Sequence, residues 1–259
     1  MRDPHVQTLQ YQVQPAEGVR FGDPPPVAWE TPEFRARLVG DSLTVSLRRH
    51  YATEAEARRA VDPYVKAWEV TASLDLGRPA FGLDFRRATV IDREPPPRAG
   101  VRPAAAGSLS VSAPVSPVQS YPAYPDPPTV FAITPDVESM WGRWTGYMYD
   151  REPLASMASM CLTILEAGAD GRPDERRTNA AAKYGVARDV LELLGDLTSE
   201  VGEAQTGREA HVSRRSPHTR AEVGWIEAVI PLLIRRAGQV AYDPGRRWPQ
   251  ISLADFPQL

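Results

Sequence analysis

Ten prolines between Pro95 and Pro128 divide this chain into a half patterned for strands and a half patterned for helices. Proline has no backbone N–H to donate and fixes φ near −65°, so neither a helix interior nor a central strand can pass through such a stretch. The chain must therefore fold as separate packed pieces on either side, and its 259 residues suffice for two small domains. An alternating island, Leu109 to Ala113, fits an edge strand of the first piece. This predicts a β-rich module over residues 1–113, a proline-rich connector over 114–134 and a helical module over 135–259.

In the first half, Val6, Leu9, Tyr11 and Val13 suggest a strand, and Pro24 to Pro26 an extended loop. Phe34–Val39 and Ser42–Arg49 flank Gly40-Asp41 as a hairpin. Thr53-x-x-Glu56 is a capping box opening a helix through Trp68, with Pro63 kinking or restarting it. Glu69–Leu76 and Ala80–Arg93 read as two strands around Gly77-Arg78-Pro79. The expected fold class is α+β: an antiparallel sheet with one helix, then an all-α bundle of four to five helices.

After Pro135 the period changes to 3.6. Val137, Met140, Trp141, Trp144 and Met148 form one apolar stripe. Leu154 to Leu165 is apolar nearly all round, which predicts a central buried helix. Thr178–Tyr184, Gly185 and Arg188–Leu197 read as helix, turn, helix. Thr219-x-x-Glu222 caps a last helix, with Pro231 inside it and Arg235 and Arg236 at its basic end.

Composition restricts the chemistry. A net charge of −3 excludes a surface that binds nucleic acid all over, so any such site is local. All but Lys66 and Lys183 of the 30 basic residues are arginine, the side chain that grips phosphate and carboxylate bidentately. Cys161 is the one cysteine, which rules out an intramolecular disulfide and a cysteine-based metal site. The N-terminal residues lack the apolar core of a signal peptide, and no run of about 18 apolar residues occurs. A cytoplasmic protein without metal or cofactor is expected.

Several familiar patterns carry little chemistry here. Pro114–Pro117 and Pro122–Pro125 fit P-x-x-P, but a strap packed on a domain fits as well. The helix-turn-helix cadence of Ala180–Leu197 puts Asp189 and Glu192 beside Arg188, the wrong charge for reading DNA. Asp84 with Asp92 and Asp189 with Asp196 have no evident shared pocket. Trp141, Trp144, Tyr147 and Tyr149 could be a stacking platform, but Trp141 and Trp144 match the buried stripe.

The densest local signal is Arg208–Arg220, REAHVSRRSPHTR, which holds Arg208, Arg214, Arg215, Arg220, His211 and His218 opposed only by Glu209. The four arginines are the candidate anion- or RNA-binding set. His211, His218 and Arg214 are the candidate catalytic set, with either histidine as general base. A helical half whose Arg/His segment precedes a final Leu/Ile helix ending in LIRR resembles the HEPN domains. That resemblance covers roughly residues 135–240 and implies a dimeric, RNA-cutting effector. The family signature separates its Arg and His by a longer interval than Arg208–His211 or Arg214–His218 provides, so an altered nuclease centre is implied.

Two functions follow as expectations. The first is a non-catalytic, two-module recognition protein of bacterial type in a defence or regulatory system, whose partner is another protein or a second copy. The alternative is a metal-independent RNA endonuclease working through the Arg/His loop.

Overall fold

The computed structural model describes residues 3–94, 118–169, 171–172, 175–199 and 217–259, in two compact units, Met1–Pro128 and Thr129–Leu259. The first unit holds strands β1 (Pro4–Pro15), β2 (Val19–Phe21), β3 (Val27–Glu30), β4 (Phe34–Val39) and β5 (Ser42–Leu47). Helix α1 (Glu54–Leu76) and strands β6 (Phe81–Asp92) and β7 (Gln119–Tyr121) complete it. Five strands form an antiparallel sheet in the order β3-β4-β5-β1-β6, so the first strand sits between the hairpin and β6. The island at Leu109–Ala113 lies outside the described residues.

Alternation dictates what the sheet buries. Leu9, Tyr11 and Val13 of β1 line up with Val45 and Leu43 of β5 and with Ala36 and Leu38 of β4, all buried. Val61, Val65, Trp68 and Ala72 of α1 close that core. Trp68 is fully buried, with its ring edge-on to Trp29 and Phe81 at centroid distances of 4.9 and 5.3 Å.

Helix α1 corrects one expectation. Glu69–Leu76 is its last two turns rather than a strand, and the helix runs unbroken through Pro63 to Gly77, whose φ of 65° ends it. The β-branched Val70 and Thr71 favour a strand, yet spacing and packing prevail. Thr71 and Ser73 also turn their hydroxyls back onto Ala67 and Glu69 carbonyls at 2.9 and 2.7 Å, so both polar groups are satisfied inside a helix.

Part of the expected connector belongs to the first unit. Strand β7 pairs in parallel with β2, Tyr124 is buried against Phe21 and Phe81, and the Trp68 indole donates to the Pro125 carbonyl at 2.9 Å. Of the two P-x-x-P segments, Pro122–Pro125 is therefore a strap over the core, and Pro114–Pro117 lies outside the described residues.

The second unit contains α2 (Pro135–Met148), α3 (Leu154–Gly168), α4 (Arg176–Tyr184), α5 (Arg188–Ser199) and α6 (Arg220–Tyr242). Helix α3 touches the other four, as its apolar sequence demands, although Met160 on its outer side is 36% exposed. Helix α6 begins at the expected Thr219/Glu222 capping box but runs beyond Arg236 and Gly238 to Tyr242, so its last turn carries no base. Gly238 lies inside the helix, where a Cβ would come within 2.5 Å of the Phe131 ring. Bare backbone is what lets that ring seat.

Candidate functional site

Of the residues singled out in the sequence, Arg208, His211, Arg214 and Arg215 lie outside the described residues. His218 and Arg220 lie at the entrance to α6. The His218 ring places Nε2 3.0 Å from the Leu197 carbonyl at the end of α5. An imidazole nitrogen facing a carbonyl must carry the proton, so this contact fixes the Nε2–H tautomer and ties α6 to α5. Arg220 is the exposed first residue of α6.

The other motifs are absorbed by the fold. Trp144 is buried with Met140 and Val137, and Trp141 stacks on it at 5.3 Å. The hydroxyl of Tyr147 donates to Glu227 at 2.6 Å, and burial together with that carboxylate pushes it up to about 12. In the helix-turn-helix segment Arg188 bonds Glu192 at 2.7 Å, while Val190, Leu191 and Leu194 are buried. Asp84 and Asp92 stand opposite Gln12 and Pro4, far apart along β6. Burial pushes the Cys161 thiol up to about 12, so it is an inert core group. Among the described residues no helix is long and apolar enough to cross a membrane, and no His, Cys, Asp and Glu grouping can hold a metal ion.

What the fold assembles instead is a polar surface on the N-terminal sheet. Helix α1 covers one side, and the alternate residues of each strand face the other. Their register makes continuous rows across the sheet. Gln10 stands between Thr44 and Arg87, and Thr44 is opposite Arg37. Thr8 stands between Ser46 and Thr89, and the row continues through Arg35 to Glu30. Gln12 stands between Ser42 and Asp84.

Electrostatics make these rows unequal. Arg35 and Arg48 both grip Glu30 and hold its carboxyl below the usual carboxylate range, Arg48 being the stronger influence. At that end both guanidinium groups are held by one carboxylate. Arg37 is exposed and has no ion-pair partner among the described residues, and Arg87 is oriented by an Nε bond of 2.7 Å to the Gln10 side chain. The row Arg37, Thr44, Gln10, Arg87 thus puts two guanidinium groups at the ends of a hydroxyl and an amide. At about 4.8 Å per strand it spans roughly 14 Å.

Two register shifts shape the far strands, one between Val6 and Thr8 on β1 and one between Gln10 and Tyr11 against β6. The first places Val6 in the core and His5 on the opposite side. There His5 stacks on His50 at 5.3 Å, 5% exposed and with Nδ1 unpartnered, while Asp3 lies 3.8 Å from the His50 ring. Burial first, then Arg93 and His50, push the His5 imidazole below its ordinary value of 6.5, and Asp3 opposes them weakly. The folded state thus prefers the neutral ring. Its contribution is whole above pH 6.5 and is lost as pH falls through the lowered value. The melting temperature should fall between pH 7 and pH 5, by less in His5→Gln; equal falls in both proteins would refute this role.

A shallow depression beside α1 is lined by Glu54, Ala55, Arg58, Arg59 and Asp62. Its charges answer one another. Arg58 pairs with Asp62 at 3.2 Å and lies 4.3 Å over the Phe85 ring, and Tyr11 donates to Asp62 at 2.7 Å.

Sequence reading missed Arg37, Thr44, Gln10 and Arg87 as a group. The signal is the polar half of each strand's alternation, Thr8-x-Gln10-x-Gln12 and Ser42-x-Thr44-x-Ser46; only the pairing register unites them. No protein-family model, curated protein or solved structure matches the chain.

Proposed function

We propose that this chain is a non-catalytic, two-module recognition protein whose N-terminal sheet binds an acidic segment of a partner protein. The row Arg37, Thr44, Gln10, Arg87 carries this reading: it offers donors for carboxylates on a rigid sheet, where side-chain positions are set by register. Single-stranded RNA fits this face poorly, because its bases need aromatic rings to stack on, and these outward rows contain no Phe, Tyr or Trp.

The test uses fluorescence anisotropy with a labelled poly-glutamate peptide and, separately, labelled polyuridine. The peptide should bind the full chain, and Arg37→Ala with Arg87→Ala should weaken it roughly five- to thirty-fold, at about 0.5–1 kcal/mol per exposed charge. Added salt should weaken it too. Absence of peptide binding, tighter binding of polyuridine, or cleavage of RNA that is lost in His218→Ala would overturn the reading.

A further inference from the structure

Strand β6 is the outermost strand of the sheet on its side, so its second row of backbone N–H and C=O groups meets no strand among the described residues. A long edge of this kind pairs with other chains unless something blocks it. Over the first part of β6 the edge is blocked. Glu69 of α1 accepts from the Leu83 backbone N–H at 2.6 Å, and the register shift at Arg86 disrupts the strand beside two arginines.

From Ala88 to Ile91 no carboxylate caps the outer row among the described residues and no arginine intervenes, and the one register shift there, between Val6 and Thr8, puts its extra residue on β1 rather than on β6. The stretch Ala-Thr-Val-Ile is uncharged, lacks proline and glycine, and is rich in β-branched residues. Val90 and Ile91, neighbours that face opposite sides of the sheet, are 37% and 36% exposed. Apolar surface therefore lies on both sides of a backbone ladder that no described strand pairs. Charge is arranged around it by sign, with Arg86 and Arg87 before it and Asp92 and Glu94 after it, separated by Arg93.

We propose that two copies of the chain associate through this stretch, β6 against β6 in antiparallel order. Antiparallel pairing is self-complementary under a two-fold axis, so a single edge suffices for both partners. It brings the arginine end of each strand to the acidic end of the other, whereas parallel pairing would set like beside like. With Thr89 opposite Thr89, Ala88 falls opposite Val90 and Arg87 opposite Ile91, so each exposed apolar side chain gains a neighbour across the seam. The sheet becomes one continuous surface shared by both copies. This inference rests on the edge alone and stands apart from the acidic-partner reading of the face.

The test is sedimentation of the full chain together with a cysteine scan, for which the buried Cys161 leaves an almost silent background. The parent should sediment at twice the monomer mass at micromolar concentration. Val90→Lys with Ile91→Lys should halve that mass. Directly opposed residues stand about 4.5–5.5 Å apart at Cα, inside the range a disulfide spans. Thr89→Cys should accordingly yield a covalent dimer under mild oxidation, and Thr44→Cys, in mid-sheet, should not. If the lysine variant fails to fold, the Thr89→Cys result decides. A monomeric parent, a dimer indifferent to the lysines, or a dimer that Thr89→Cys does not lock would overturn the proposal; none of these outcomes bears on poly-glutamate binding.

Discussion

Trp68→Ala is expected to destabilise the N-terminal unit by about 4 kcal/mol, the upper range for emptying a large aromatic site. The indole is fully buried, meets Trp29 and Phe81 edge-on, and has its one donor paired with the Pro125 carbonyl. Alanine leaves a cavity between helix and sheet and strands that carbonyl. Trp68→Phe separates the two effects, since a phenyl ring keeps most of the packing but cannot donate; about 1–2 kcal/mol should be lost for the hydrogen bond and residual void. Urea unfolding followed by circular dichroism gives both values. Equal stability of the phenylalanine and alanine variants would show that packing around the ring is not what matters.

Arg236→Leu is expected to cost the helical unit about 3 kcal/mol. The side chain is 7% exposed and its guanidinium donates to the carbonyls of Tyr184, Gly185 and Pro249 at 2.9, 3.0 and 2.8 Å. Those oxygens belong to the α4–α5 turn and to the C-terminal tail, so one fork joins three pieces of chain. Burial lowers the guanidinium's affinity for its proton, yet the side chain stays charged at any ordinary pH. Leucine fills similar volume while leaving the Tyr184 and Pro249 carbonyls without the guanidinium and Gly185 with the Ile251 N–H alone. Arg236→Lys should recover less than half of the loss, because an ammonium cannot reproduce a planar fork. Full rescue by lysine in the same urea titration would refute the geometric account.

Arg236 also shows where sequence reading reaches its limit. As the last residue of LIRR it reads as basic surface near a helix end. In the fold it is a buried brace, because α6 continues past it and the tail returns over the turn at Gly185, with Ile251 bonded to that residue's carbonyl at 2.9 Å. Nothing local encodes this, since the acceptors lie 52 and 13 residues away in sequence. The caps and periods, by contrast, are local. Thr53/Glu56 and Thr219/Glu222 mark both long helices, and Gly40-Asp41 marks the hairpin.

The candidate surface was half legible. Each strand displays its polar residues in plain alternation, but Arg37 and Arg87 come together only through β5 and β1, an arrangement that depends on the first strand being inserted beside the last. A shifted register would regroup every row. His5 illustrates the same point, since strict alternation assigns it to the side of Leu9 and Tyr11, and the irregularity at Gln7 reverses that assignment.

The pairing of β7 with β2, and of the Trp68 indole with Pro125, has a consequence in time. During synthesis the entire five-stranded sheet and α1 leave the ribosome before Tyr124 and Pro125 do. At about 5–20 residues per second, a few seconds separate the end of β6 from the arrival of its cover. Through that interval Phe81 and Trp68 stand in the sheet and helix without the ring and carbonyl that finish their surroundings, and β2 with Phe21 has not met its partner strand. The nascent chain thus passes through a stage with an aromatic patch uncovered, when capture by a chaperone or by a neighbouring nascent chain competes with the last step of folding.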